Sequence, residues 1–343
     1  MSRTLPVALV IGAALSLSLS STFVKLSGTT ASTAAFLRCA IALLALAPLA
    51  AYEWRRKGPL SRGACWGSAA AGLFLGVDYT MWTAGILDVG AGISTVLINV
   101  QVIVFPLLCL LFDGTRISRR FAACTPLMLA GLALAGGVVD ADAGAPHPVR
   151  GTLLATAAGV AYSGYLYLNR RAGARSGTRH VMVPVAIATA AATVATGVIG
   201  AGTGGVTLAL PAYAWLWLAA LALLGQVLSW LLLGAATPHL APASAASLLL
   251  LQPVLAVGFG MLILGEAPTV VQLGGCAAVV AAVWLASTAR LGRAEPVEEA
   301  GVREGEGDGQ GAGQRRDVAE LADLDARREG HQRPDAARHD RQQ

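Results

Sequence analysis

Ten apolar stretches, separated by short polar joints, follow one another along the first 290 residues. Each is rich in Ala, Leu, Val and Gly, and each is close to the roughly 20 residues that a helix needs to cross the hydrocarbon of a bilayer. We therefore predict an all-α membrane protein with ten transmembrane helices. The predicted spans are 5–25, 33–52, 64–86, 90–112, 121–139, 151–169, 181–200, 212–234, 241–264 and 269–290.

The distribution of basic residues predicts how these helices are oriented. Only 13% of the chain is charged, about half the share of a soluble domain. With the N-terminus in the cytoplasm, 14 of the 17 Lys and Arg residues before 295 fall in cytoplasmic segments, and Lys25, Arg38 and Arg150 fall outside. This asymmetry follows the positive-inside rule and places both termini in the cytoplasm. Because the Arg residues occupy the joints between apolar runs, they indicate lipid rather than nucleic acid as the partner.

The chain divides into two halves of five predicted helices and a polar tail. A turn-rich segment at 140–150 separates a first repeat at 1–139 from a second at 151–290. An odd number of helices in each half turns the second half upside down, an arrangement common in secondary transporters. One spacing recurs in both halves: Gln101 stands 13 residues before Gly114, and Gln252 stands 13 before Gly265. Residues 295–343 have almost no aliphatic side chains, so we predict a disordered cytoplasmic tail.

Two further sequence features bear on this interpretation. The five cysteines form no CxxC pair and lie in or beside apolar runs, so we expect small buried side chains and neither a metal site nor a cofactor. Residues 1–25 also fit a second interpretation, a cleaved signal peptide with Arg3 before an apolar core.

Short motifs at the ends of the helices resemble those of the EamA-type branch of the drug/metabolite transporter superfamily. They are Phe-Val-Lys ending at Lys25, Ala-Ala-Phe-Leu-Arg ending at Arg38, and Gln-Pro-Val at 252–254 followed by Leu-Gly-Glu ending at Glu266. The resemblance covers about 5–290. It implies a bacterial inner-membrane carrier with a cavity between its halves that moves small metabolites, amino acids or drug-like compounds without ATP. The first half departs from the motif, since Asp113-Gly114-Thr115 stands where Gly-Glu is expected.

Asp78 is the one carboxylate well inside a predicted span. A charge at that depth is costly, so such residues face a cavity or a partner. Gly72 and Gly76 form a GxxxG packing face from which Asp78 points away, and Trp82 lies one turn beyond it on the same side. Asp78 either binds a cationic group or a proton in a cavity, or forms a structural pair with Arg38 or Lys25.

The remaining candidates lie on polar faces or at helix ends. We expect Lys25 and Arg38 near helix ends, either snorkelling to headgroups or binding a substrate carboxylate. Glu266 is expected at the end of the ninth helix, as a solvated or capping group in preference to a substrate ligand. Aromatic and amide side chains share faces and are candidates either for the cavity or for packing between helices. These are Tyr162, Tyr165, Gln226, Trp230, Asn99, Gln101 and Gln252. Pro253 and Pro106 are hinge candidates.

A secondary transporter working by alternating access, with export as the expected direction, is the function that these features predict. A small molecule is its expected substrate and a proton its candidate coupling ion. The alternatives are an intramembrane enzyme and a non-transporting receptor or assembly subunit. No predicted span contains a histidine, and the chain has neither an HExxH motif nor a phosphate-binding loop, so neither a zinc protease nor an ATP-driven pump is indicated.

Overall fold

The computed structural model describes residues 4–137, 146–174, 180–236, 239–240 and 248–288, and these form helices joined by short turns. The predicted tail at 295–343 and most of the seam at 140–150 lie outside the described residues. The helices are α1 (Thr4–Ser27), α2 (Ala31–Lys57), α3 (Arg62–Val89), α4 (Ala91–Leu97), α5 (Gln101–Asp113), α6 (Arg119–Ala135), α7 (Pro148–Ala174), α8 (Met182–Gly202), α9 (Ala212–Ala222), α10 (Ser229–Ala236), α11 (Leu251–Leu264) and α12 (Val270–Thr288).

Within this described part, six helical stretches have both the length and the hydropathy to cross a membrane. They are Leu5–Ser27, Ala31–Lys57, Arg62–Val89, Ala91–Asp113, Met182–Gly202 and Ala212–Ala236. Leu251–Leu264 and Val270–Ala286 are shorter apolar helices. Large apolar side chains such as Leu44 and Leu262 are 76% and 84% exposed, as expected for surfaces that face lipid tails.

Hydroxyl side chains in the polar joints set where several helices begin. Thr30, Ser61 and Ser118 precede α2, α3 and α6, and each side chain accepts a hydrogen bond from the backbone N–H three residues later. Gly58, with φ of 80°, ends α2 in a conformation that a residue with a Cβ adopts only under strain. The helices α2 and α3 therefore extend several residues beyond the apolar runs at 33–52 and 64–86.

The helix contacts repeat between the two halves of the chain, α1–α6 and α7–α12. Helix α7 packs against α3, α4 and α5, and its counterpart α1 packs against α9, α10 and α11. In the same way α3 packs against α8 as α9 packs against α2. The pairs α2–α8 and α6–α12 join equivalent helices of the two halves. The two halves therefore hold each other through matching contacts.

Two short stretches of non-α backbone interrupt the helices nearest the centre. Residues Ile98–Val100 form a 3₁₀ turn between α4 and α5, and Leu223–Leu228 form a π-helical turn between α9 and α10. Such turns shift the register of side chains on either side of them and occur often at functional sites. Here they carry or adjoin Gln101 and Gln226.

Close helix packing on α3 comes from glycine. A Cβ at Gly72 would overlap the backbone carbonyl of Ala188 in α8, and one at Gly76 would overlap the Ala195 side chain. The absence of side chains here lets α3 and α8 approach closely, as small residues do in membrane helices. Asp78, two residues after Gly76, lies on a different face of α3 from the two glycines.

Two buried carboxylates tie helix ends of the first half to helix starts of the second. Glu53 near the end of α2 accepts hydrogen bonds from the backbone N–H groups of Val181, Met182 and Val183 at distances of 2.7–3.1 Å. Its Oε1 also lies 2.8 Å from Nζ of Lys57. A carboxylate at a helix N-terminus satisfies free N–H groups and complements the helix dipole.

Asp88 makes the equivalent connection between α3 and α7. Its two oxygens accept bidentate hydrogen bonds from the guanidinium of Arg150 at 2.7 and 2.8 Å. The carboxylate side chain is 5% exposed, whereas Arg150 is 65% exposed. Together with Glu53, this pair fixes the two halves to each other at two separate helix junctions.

Candidate functional site

A cavity of about 90 Å³ lies among helices from both halves, at the level of the two interrupted stretches. Polar and aromatic side chains form much of its wall. The lining residues are Leu17, Ser20, Arg38, Asp78, Tyr79, Trp82, Thr95, Ile98, Gln101, Tyr162, Trp230 and Gln252. A polar pocket enclosed by apolar helices is the most distinctive feature of the described residues. Polar groups are costly inside a membrane, so their presence there usually marks a binding or transport site.

Arg38 lies inside the protein and not at a helix end. It is the eighth residue of α2 and only 4% exposed, so the prediction that it snorkels to headgroups is wrong. The reason is a tertiary contact with α3. The guanidinium carbon of Arg38 lies 3.9 Å from the ring centroid of Tyr79 and 5.3 Å from that of Trp82, and cation–π attraction to these rings replaces part of its hydration. Its Nε donates to Oε1 of Gln226 at 3.2 Å.

Asp78 faces the same cavity and is 1% exposed. Neither Arg38 nor Lys25 forms an ion pair with it within 4.0 Å among the described residues, so the predicted direct pairing is absent. Lys25 instead lies 2.8 Å from Oε1 of Glu266. Arg38 and Asp78 nevertheless line the same cavity, where a charge on one side chain acts on the other across a region of low dielectric constant.

Four buried polar atoms of the cavity residues have no hydrogen-bond partner in the described protein. They are Nη1 of Arg38, Oδ1 of Asp78, Nε1 of Trp82 and Oε1 of Gln101. Buried polar groups almost always have partners, and an unpaired one costs about 1–3 kcal/mol. Two donors and two acceptors left unpaired around one cavity are therefore suited to a polar ligand or to water.

Aromatic rings form the side of the cavity made by α7 and α10. The ring of Tyr165 lies 5.5 Å from that of Tyr162 and is stacked at 6.4 Å on Trp230, with an angle of 12° between the planes. Tyr162 and Trp230 line the cavity, and Tyr165 stands behind them, buried at 6% exposure. These rings add an aromatic surface to a cavity wall that also includes Arg38 and Asp78.

The structure brings most of the predicted site residues together but excludes three from the cavity wall. Asn99 donates to the carbonyls of Thr95 and Val96 in its own helical stretch, Gln226 holds Arg38 from behind, and Tyr165 supports the rings in front of it. Tyr79 is the main residue that the sequence analysis missed. Its position one residue after Asp78 gave no periodic signal, because the cavity contacts more than one face of α3.

Matching hydrogen bonds hold the two glutamines of the cavity. Oγ of Ser18 in α1 donates to the backbone carbonyl of Gln252 at 2.9 Å, and Oγ of Ser163 in α7 donates to that of Gln101 at 3.5 Å. Both serines are fully buried. Because equivalent serines hold equivalent glutamines, each half contributes the same element to opposite sides of the cavity.

Glu266 caps a helix and joins three parts of the protein. Its Oε1 accepts from the backbone N–H of Ala91 at 2.7 Å, and its Oε2 accepts from Gly92 at 3.3 Å, at the start of α4. The ion pair with Lys25 adds α1 to this junction. We call these residues of α1, α4 and the turn after α11 the Glu266 junction.

The first half carries a different arrangement where its Glu is missing. Oδ1 of Asp113 accepts from the hydroxyl of Tyr167 at 2.9 Å, and Arg171 donates to the same hydroxyl at 2.8 Å. The segment that corresponds to the start of α4, at 241–247, lies outside the described residues. Asp113 therefore contacts α7 and is not seen to cap a helix in the described part of the chain.

The two hinge candidates occupy different positions in their helices. Pro253 is the third residue of α11, where the missing N–H costs no helical hydrogen bond. Pro106 is the sixth residue of α5 and lies inside the helix, downstream of the 3₁₀ turn at Ile98–Val100. A hinge role stays a prediction for each.

The apolar helices and the buried polar cavity define an all-helical, multi-pass membrane protein. The sequence profile of the EamA-like transporter family matches residues 4–137 and 149–288, in two repeats. The chain therefore belongs to the EamA-like transporter family, as its helix-end motifs predicted.

Comparison with solved structures supports the fold alone. One structure, described as "Crystal structure of protein", matches 85% of this chain and 100% of its own with a TM-score of 0.53 at 19% sequence identity. No curated protein matches the sequence. Among the described residues, no group of three or more His, Cys, Asp or Glu side chains is placed to hold a metal ion.

Proposed function

We propose that this chain is a secondary transporter that moves a small amphiphilic metabolite, amino acid or drug-like compound across the bacterial inner membrane by alternating access, with export as the direction. The observation that carries the proposal is the cavity between the two repeats, in which four buried polar atoms have no hydrogen-bond partner among the residues that the structure describes. Its family membership supplies the transporter class.

The substrate chemistry follows from the cavity wall. Arg38 presents an unpaired N–H suited to a carboxylate or another anionic oxygen, and Asp78 presents an unpaired oxygen suited to an amine. Tyr162 and Trp230 provide a surface for an apolar or aromatic group. At about 90 Å³ the cavity is smaller than the roughly 300–1,000 Å³ of pockets that hold drug-sized ligands. Substrate binding therefore requires the helices around it to move apart.

A ten-helix, inverted-repeat topology with both termini in the cytoplasm completes the proposal. The matching helix contacts of the two halves support it. The positive-inside rule counts Lys and Arg residues, and the excess of 14 on the proposed cytoplasmic side over three on the other side supports this orientation. Of those three, Lys25 pairs with Glu266, Arg150 pairs with Asp88, and Arg38 lines the cavity.

Asp78 is the proposed site of proton coupling. A single buried carboxylate binds either a proton or a cationic substrate group, but not both at once. Competition between the two at Asp78 would exchange one for the other across the membrane. In this scheme Arg38 stays charged and holds the anionic end of the substrate.

Flux measurements in proteoliposomes test the function. The purified protein, screened over amino acids and amphiphilic cations with and without a pH gradient, is expected to move at least one class of compound. Asp78→Asn is expected to remove the effect of the pH gradient, whereas Asp113→Asn, a carboxylate outside the cavity, keeps it. Folded protein that moves no compound would contradict the transporter proposal and favour a receptor or assembly subunit.

A further inference from the structure

An apolar groove of about 340 Å³ lies between α2 and α8, away from the central cavity. It is found at the end of α2, beside the junction that Glu53 makes with the start of α8. Ala50, Ala51, Trp54 and Arg55 form its α2 side, and Val183, Ala186 and Ile187 form its α8 side. The small side chains of Ala50 and Ala51 leave an apolar depression between the two helices.

Arg55 is the only charged residue among those that line the groove, and it has no hydrogen bond or ion pair with a described residue. The next two residues, Arg56 and Lys57, are also basic, but each contacts another side chain. Lys57 pairs with Glu53 at 2.8 Å, and the guanidinium of Arg56 lies 4.9 Å from the ring centroid of Tyr52. Arg55 therefore places an uncompensated positive charge at the end of an apolar groove.

The surroundings place this groove at the boundary of the bilayer. Tyr52 and Trp54 are 58% and 45% exposed, and exposed Tyr and Trp side chains mark the headgroup level of membrane helices. Four basic residues lie between 55 and 62, just after the apolar part of α2. Basic residues just after a membrane helix lie at the level of anionic headgroups, and Arg55 is the one of these four that lines the groove.

We infer that the α2–α8 groove is a binding site for one anionic phospholipid, with an acyl chain along the apolar wall and the phosphate at Arg55. The charge requires an anionic headgroup, and the apolar wall requires an attached chain. A soluble anion would satisfy Arg55 but would leave the groove empty. This site is separate from the proposed transport cavity and does not depend on the substrate.

The position of the groove gives the lipid a structural effect. Val183 lines the groove, and its backbone N–H donates to Oε2 of Glu53 at 2.9 Å. A lipid held there packs directly against the junction between α2 and α8, two helices from different halves. Bound lipid therefore stabilises the contact between the repeats.

Native mass spectrometry of the full-length protein in detergent, titrated with phosphatidylglycerol or phosphatidylcholine, tests the inference. The wild type is expected to bind phosphatidylglycerol more tightly. Arg55→Gln is expected to weaken that binding about fivefold, the factor for one basic residue near an anionic headgroup. Arg55→Lys keeps most of it, and Arg56→Gln serves as the matched control because Arg56 stacks on Tyr52 outside the groove.

A second pair of variants tests the apolar wall. Ala51→Leu fills the groove and is expected to weaken phosphatidylglycerol binding, while Ala47→Leu, one turn earlier on α2, leaves it unchanged. Equal affinity for the two lipids, equal losses in Arg55→Gln and Arg56→Gln, or unchanged binding in Ala51→Leu would each overturn the inference. Displacement of phosphatidylglycerol by an equal concentration of soluble glycerol phosphate would also overturn the inference, because glycerol phosphate has no acyl chain to occupy the groove.

Discussion

Glu53 offers the sharpest test of how the two repeats are joined, and the change to make is Glu53→Gln. The side chain is 8% exposed and accepts hydrogen bonds from three consecutive backbone N–H groups at the start of α8, those of Val181 to Val183, and from Lys57. An amide keeps the size of the side chain but has only one acceptor oxygen and no charge. Its NH₂ group would face either the free N–H groups or the Lys57 ammonium.

The expected loss follows from these bonds. Hydrogen bonds to a charged group contribute about 1.5–3 kcal/mol each, against about 0.5–1.5 kcal/mol for neutral ones. If three backbone bonds each lose about 1 kcal/mol of that difference, Glu53→Gln lowers the free energy of unfolding by about 2–4 kcal/mol. The ion pair with Lys57 adds little, because Lys57 is 43% exposed.

Unfolding of the purified protein by SDS titration in mixed micelles measures this loss. Asp113→Asn is the matched control, since it is also a carboxylate-to-amide change but affects one hydrogen bond, from Tyr167, at an exposed helix end. We expect that control to cost less than about 1 kcal/mol. Equal effects of the two variants would refute the idea that the Glu53 cap holds α2 and α8 together.

Two further changes probe close packing and the Glu266 junction. Gly72→Ala is expected to lower the melting temperature through a loss of about 1–3 kcal/mol, because the new methyl group meets the backbone of α8. The control Gly63→Ala, in the same helix, meets nothing within 4 Å and is expected to be neutral or stabilising. Equal effects of the two variants would show that α3 and α8 are not in close contact. Glu266→Gln is expected to destabilise the protein by about 1–2 kcal/mol. Lys25→Met is expected to cost less than half as much, because Glu266 still accepts hydrogen bonds from the first N–H groups of α4 when the lysine is absent. The reverse order in thermal unfolding would show that the ion pair dominates.

The arrangement of Lys25 and Arg38 shows why helix-end charges are hard to interpret from sequence. Both stand near the ends of predicted spans, on two consecutive helices of the first half. Lys25 does lie at the end of α1 and binds Glu266, but Arg38 is two turns inside α2 and faces Tyr79. The difference comes from α3, which brings an aromatic ring to one position and not to the other.

The sequence by itself determined the class of this protein. Hydropathy, the segregation of basic residues and the short helix-end motifs depend on local composition, and they predicted an all-helical membrane protein of the EamA-like family. The same information identified Asp78, because a carboxylate in a long apolar run is costly at any position within lipid. Hydroxyl caps such as Ser61 are likewise readable from the residues beside each joint.

Tertiary structure decided which polar side chains share one cavity. Gln101 and Gln226 look alike in sequence, yet the first lines the cavity and the second supports Arg38 from behind. Their directions depend on the 3₁₀ and π-helical turns, which shift side-chain register away from the regular helical period. Contacts between residues far apart in the chain, such as Glu53 with α8, arise from helix packing and leave no periodic signal in the sequence.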